Sequence, residues 1–104
     1  MIKLICSDVD GTLVPDGGHE LNPEYFDQIR RLKKAGILFA AVSGRSYSSL
    51  KKLFAPVIDD ILFICDNGAR TIYQGSLLSC YTIRHELAME LVREIEALPG
   101  CTTY

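Results

Sequence analysis

Three short apolar runs constrain this chain most: residues 2–9 (IKLICSDV), 37–42 (ILFAAV) and 61–65 (ILFIC). None alternates cleanly between apolar and polar side chains. A strand with one wet face alternates; an unbroken run suits a strand buried on both faces, as in a parallel sheet. The intervening segments carry a helical period instead. Asn22-Pro23-Glu24 reads as a helix start, with a capping amide, a proline in the first turn and an acid at the positive dipole end. Phe26, Ile29 and Leu32 then recur on one face, and Gly36 stops the helix. Ser43-Gly44-Arg45-Ser46 turns into a second helix with Leu50, Leu53 and Phe54 on one side, ended by Pro56. The order strand, helix, strand, helix, strand predicts a right-handed α/β sheet with parallel strands.

Beyond residue 65 the pattern changes. Asn67-Gly68 is a turn signal, and Thr71–Tyr73 and Leu77–Ile83 flank Gln74-Gly75-Ser76, which predicts a hairpin. A third helix is expected from about Glu86 to Leu98, with Leu87, Leu91, Ile95 and Leu98 at helical spacing and Pro99-Gly100 closing it. Cys101 to Tyr104 is β-like in composition. The chain has no repeats and no low-complexity segment.

At 104 residues, 48% hydrophobic and 23% charged, the chain suits one small globular domain and is too apolar for disorder. Net charge is -2, and the Arg30, Arg31, Lys33, Lys34 cluster lies on one helix pattern as a solvated face, so no nucleic-acid partner is expected. No apolar run approaches the ~18 residues of a membrane span, and no signal peptide is read, so no membrane partner is expected and the cytoplasm is the expected location. Cys6, Cys65, Cys80 and Cys101 form no C-x-x-C pair. Cys6 and Cys65 sit inside apolar runs and read as small buried hydrophobes, whereas Cys101 reads as exposed.

The chemistry-bearing residues stand at strand ends. Asp8 and Asp10 follow the first run as D-V-D-G-T. In open parallel sheets, ligands bind beyond the carboxyl ends of the strands. Two carboxyls this close repel when ionised, and a divalent cation with a taste for hard oxygen, such as magnesium, relieves that repulsion. Gly11 lets backbone approach a ligand, and Thr12 offers a hydroxyl. Ser43 and Gly44 end the second run before a helix, where a hydroxyl and free N–H groups suit a phosphate. Either half alone is commonly just a turn; at successive strand ends they read together as a metal-plus-carboxylate half and a phosphate-holding half.

LICSDVDGTL resembles the first signature of the haloacid dehalogenase (HAD) superfamily, AVSGR resembles its second, and DNGAR (Asp66 to Arg70) resembles the N-G-A segment of its Cof-type branch. The resemblance implies a three-layer Rossmann-like α/β fold and a magnesium-dependent phosphohydrolase of small phosphorylated metabolites. It implies Asp8 as nucleophile forming an aspartyl-phosphate, and Asp10 as the acid and then the base. Magnesium is expected on the Asp8 carboxylate and the Asp10 backbone carbonyl, and Ser43 on the transferring phosphoryl group. Gly11, Thr12, Gly44, Arg45 and Asn67 are the remaining expected phosphate or substrate contacts, and residues 12–18 resemble the mobile flap. For Arg45 a structural ion pair stays open, as does plain turn chemistry for Asn67.

The third-motif Lys and fourth-motif acidic pair of the family are not matched in this sequence. Residues 1–83 are therefore expected to be the front of a core domain and 84–104 the beginning of a cap. The expected whole is an incomplete sheet with a hairpin, weakly active or inactive by itself. Alternatives are a sugar phosphomutase of the same superfamily and a non-catalytic phosphate-binding or interaction module. A receiver-like module would use Asp66 as its acceptor. His19, His85, Lys51 and Lys52 read as solvated or capping residues. An open edge at the first strand is expected to favour self-association.

Overall fold

Strand β1 (Leu4–Asp8) pairs in parallel with β2 (Leu38–Val42), which pairs in parallel with β3 (Ile61–Cys65). These coordinates are a computed structural model, which describes residues 1–15 and 18–103. Two antiparallel strands, β4 (Arg70–Tyr73) and β5 (Ser76–Cys80), complete a sheet of order β1-β2-β3-β4-β5. The helices are α1 (Glu24–Lys34), α2 (Tyr47–Leu53) and α3 (His85–Glu96). The α/β class, the parallel strands and the hairpin are as the apolar runs and turn signals predict. No described helix is long and apolar enough to cross a membrane.

Local chemistry sets the joints. The side-chain oxygen of Asn22 accepts the Glu24 N–H at 3.0 Å, so this amide serves the first turn of α1 as expected. Gln74 and Gly75 carry φ of 49° and 76°, the paired positive values that a two-residue hairpin turn needs. Ser76 consequently lies within the ladder opposite Tyr73, not in the turn. β5 stops at Cys80, short of Ile83, because its partner β4 begins only after the 3-10 turn Asp66–Gly68.

The core lies on one face of the sheet. Phe39 and Ala41 of β2, Ile61, Phe63 and Cys65 of β3 and Ile72 of β4 point the same way in register. They pack with Ile29 of α1, Leu50 of α2 and Phe54 at the C-terminal end of α2. Phe63 is 1% exposed and meets Tyr47 and Phe54 edge-on at 5.5 and 6.0 Å between centroids. Two same-handed crossovers stepping the same way along a sheet put both helices on that face.

A further expectation, on burial, fails. Cys6 is exposed, not buried, whereas Cys65 is buried and Cys101 exposed as expected. The reason is position: β1 ends the strand order, and Cys6 lies on the face turned away from Phe39 and Ala41. Residues of a continuous apolar run are buried on both faces only where both are covered. Asp16 and Gly17 of the expected flap, and Tyr104, lie outside the described residues.

Truncating Phe63 tests this core. Phe63→Ala is expected to cost about 3–5 kcal/mol, through lost burial plus the cavity left between Tyr47 and Phe54. Urea unfolding with an unchanged slope and a lowered midpoint is the expected readout.

Candidate active site

The three parallel strands end side by side, and each continues into a loop carrying polar residues. After β1 the chain tightens abruptly. Val9 is fully buried, and its carbonyl accepts the N–H groups of Thr12, Leu13 and Val14 at 3.3, 2.9 and 2.9 Å. Gly11 has φ of 79° and gives its N–H to the Val14 carbonyl at 2.8 Å. Successive residues of extended chain point oppositely, so burying Val9 turns Asp8 and Asp10 outward together.

After β2, Ser43 is 6% exposed. Its hydroxyl oxygen accepts the Arg45 N–H at 3.1 Å, and its O–H reaches an Asp10 carboxylate oxygen at 3.4 Å. Arg45 grips the same carboxylate with Nε at 3.0 and 3.1 Å and Nη2 at 2.7 Å. Hydrogen bonding to Arg45, ahead of any other cause, holds the Asp10 carboxyl below the usual range and raises Arg45. The structure thus draws Asp10, Ser43 and Arg45 into one network, with Asp8 and Thr12 beside it. Thr12 Oγ1 lies 3.4 Å from an Asp8 carboxylate oxygen.

The third loop locks the second. Asp66 gives its N–H to the Arg45 carbonyl at 3.0 Å, and Asn67 gives its own to the Ser43 carbonyl at 3.2 Å. Asp66, Asn67 and Gly68 all have positive φ, at 51°, 55° and 91°. Asn67 Oδ1 lies 2.8 Å from where a Cβ on Gly44 would stand, so a larger residue there would push that amide aside. Arg70 Nε holds the Asp66 carboxylate at 2.6 Å. That bond lowers Asp66 first and foremost and occupies the carboxylate a receiver-like acceptor would need free. Sequence reasoning passed over this pair, although D-N-G-A-R spaces the two charges at i and i+4. It also passed over Val9, which an apolar residue between two acids signals.

The donor set has the chemistry magnesium takes. Among the described residues, Asp8 has only the long Thr12 contact, and the Asp10 carboxylate is turned to Arg45, which leaves its backbone carbonyl as the second oxygen. Magnesium is held by one or two carboxylates plus water and substrate oxygens, so these residues fit it. No group of three His, Cys, Asp or Glu side chains converges among the described residues.

Residues 5–103 match the family model described as haloacid dehalogenase-like hydrolase. The chain is 33% identical over 99 residues to phosphoglycolate phosphatase 1 of Saccharolobus solfataricus, covering 94% of this chain and 42% of that protein. It is 32% identical over 74 residues to 5-amino-6-(5-phospho-D-ribitylamino)uracil phosphatase of Escherichia coli, covering 71% of this chain and 27% of that one. A crystal structure from Eubacterium rectale superposes with a TM-score of 0.82 at 39% identity, over 92% of this chain and 37% of its own. The chain therefore spans well under half the length of the relatives it matches.

The Asp66–Arg70 pair makes a pH prediction. A carboxyl whose folded pKa is depressed stabilises the fold above its unfolded pKa, about 3.9, and loses that contribution as pH falls through the folded value. Wild-type urea midpoints are therefore expected to exceed those of Asp66→Asn near neutrality. The gap should close as pH is lowered below about 4. A gap independent of pH would remove the ion pair from the account.

Proposed function

The chain belongs to the haloacid dehalogenase-like hydrolases, and from that membership we propose that it carries the nucleophile and phosphate-holding residues of a magnesium-dependent phosphatase of small phosphorylated metabolites. The observation that carries this reading is the meeting of Asp8, Asp10 and Ser43 beyond two adjacent parallel strands, with Asp8 opposite Val42 in register. The two phosphatase relatives act, by their names, on phosphoglycolate and on a phosphoribitylaminouracil. Both are small phosphomonoesters, which supports the substrate class.

In the proposed reaction an Asp8 carboxylate oxygen attacks phosphorus in line, and the bond to the ester oxygen breaks. The Asp10 carboxyl passes its proton to that leaving oxygen. Water then attacks the aspartyl-phosphate at phosphorus, giving its proton to Asp10 and returning the Asp8 carboxylate and inorganic phosphate. The Ser43 hydroxyl, the Thr12 hydroxyl and the backbone N–H of Gly44 hold the phosphoryl oxygens, Gly11 lets the backbone approach them closely, and Asn67 faces the substrate. The Asp8 carboxylate and the Asp10 backbone carbonyl would hold magnesium, which would supply neutralising charge to the phosphoryl group when bound. Arg45 favours the ionised Asp10 that accepts a proton from water. The earlier acid step requires that grip to loosen as the substrate arrives.

Residues 1–83 are read as core and 84–104 as the start of a cap, since α3 buries none of its residues against the sheet. The chain is also read as cytoplasmic.

Two outcomes are expected. With an aryl phosphate and magnesium, Asp8→Asn brings turnover and acid-stable phosphoenzyme to background, and Asp10→Asn slows turnover by about 10²-fold or more. Robust turnover in Asp8→Asn would remove Asp8 as nucleophile. The chain is further expected to self-associate through the outer edge of β1, where Ile2 and Leu4 are 66% and 47% exposed. Sedimentation across a concentration series should show the average mass rising; a monomer throughout, with protected amides along residues 4–8, would refute it.

A further inference from the structure

The outer rim of β1 presents a regular row of backbone groups. The Leu38 N–H is given to the Lys3 carbonyl at 2.9 Å, and Leu4 stands opposite Leu38 in the parallel ladder. In that pattern Lys3, Ile5 and Ser7 turn their backbone groups to β2, and Leu4, Cys6 and Asp8 turn theirs outward. Among the described residues no strand pairs with this rim. Helix α1 leaves it clear, since it packs over β2 and the segment Ala55–Val57. Cys6 is exposed, and no lysine or proline stands between Leu4 and Asp8 to blunt the edge. Unpaired backbone groups of this kind are a template for another strand.

We infer that a second copy of the chain occupies this rim, its β1 antiparallel to the first with Cys6 on the two-fold axis, so that the second copy's Leu4 enters the candidate site. The inference rests on the edge association proposed above and assigns its register. Two identical antiparallel strands related by a two-fold axis set one residue opposite itself. Only an axis at Cys6 engages every outward residue of β1: Leu4 meets Asp8, and Cys6 meets Cys6. An axis at Ile5 leaves Asp8 without a partner inside the strand, and an axis at Ser7 leaves Leu4 without one. An axis at Asp8 sets two carboxylates face to face, which repels. Directly opposite residues share a face, with Cβ atoms about 4.5–5.5 Å apart. The second copy's Leu4 therefore stands beside Asp8. On the phosphatase reading it forms an apolar wall next to the nucleophile, and each copy supplies that wall to the other.

The test oxidises the 104-residue chain with Cys80→Ser and Cys101→Ser in place, which leaves Cys6 as its exposed thiol. With diamide, two Cys6 thiols give two protons and two electrons to the azo bond, which becomes a hydrazine, and one S–S bond forms. Opposed Cys6 residues have Cα atoms about 5.5 Å apart, inside the disulfide range of about 4.4–6.8 Å. A disulfide-linked dimer is expected, growing with the associated fraction seen by sedimentation. In the register control, Leu4→Cys with Cys6→Ser, the thiols lie roughly 13 Å apart along the strands, and cross-linking should fall to the level of chance collision. Cys6→Lys sets two ammonium groups face to face at an exposed position. It should weaken association about fivefold, with circular dichroism unchanged. Association without a Cys6 cross-link, equal cross-linking from position 4, or no effect of Cys6→Lys overturns this register and leaves the open edge standing. A monomer at every concentration overturns both. None of these outcomes depends on turnover, so the phosphatase reading stands or falls separately, on Asp8→Asn.

Discussion

Asp8 and Asp10 face outward because Val9, between them, is fully buried. That one side chain fixes the phase of the loop. With Val9 and Val14 both in the core, and the Val9 carbonyl taken by three successive N–H groups, residues 9–14 form a closed knot. The backbone donors of the knot are satisfied internally, so it keeps its shape with two carboxylates on its rim. A polar residue at position 9 would have to leave the core, and both acids would rotate with it.

The second and third loops depend on each other in the same way. Ser43 and Arg45 offer carbonyls, and Asp66 and Asn67 supply the matching N–H groups. To do so Asp66 and Asn67 take up positive φ, which costs an L-residue on the order of 1–3 kcal/mol unless its surroundings insist on it. Asn and Asp tolerate that region better than most residues. The backbone bonds, the Arg70 grip on Asp66 and the space left by Gly44 together hold the loop there. These contacts fix the loop where the parallel strand ends meet.

Much of this was legible in the sequence, and the reasons differ by residue. The runs at 37–42 and 61–65 named β2 and β3 because both strands lie within the sheet and their side chains are largely removed from water. The same kind of run at 2–9 named β1 correctly but misread Cys6, since an apolar run does not say whether a strand is central or at an edge. Asn22 and the Gln74-Gly75 turn were readable from local chemistry alone. The Asp10–Arg45 contact was not, because it joins residues 35 apart and depends on the register of β1 against β2. Sequence left Arg45 open between phosphate and ion pair, and only the three-dimensional ending of two strands places it on Asp10.

That contact also carries a tension that the proposed chemistry has to resolve. A general acid is useful when its proton is retained near the operating pH, yet hydrogen bonding to Arg45 pulls Asp10 toward the ionised form. The same pairing suits the opposite half-reaction, in which an ionised Asp10 accepts a proton from water. One residue serves both steps only if its surroundings change between them. Arg45 is equipped for that change: its side chain is 27% exposed, it borders a groove, and its planar fork can exchange one carboxylate for another anion without losing geometry. An anion entering beside it competes for the fork, and its departure restores the grip. The alternation of acid and base at Asp10 would then follow from substrate arrival and product loss, with Arg45 as the mobile partner and the Val9 knot as the fixed one.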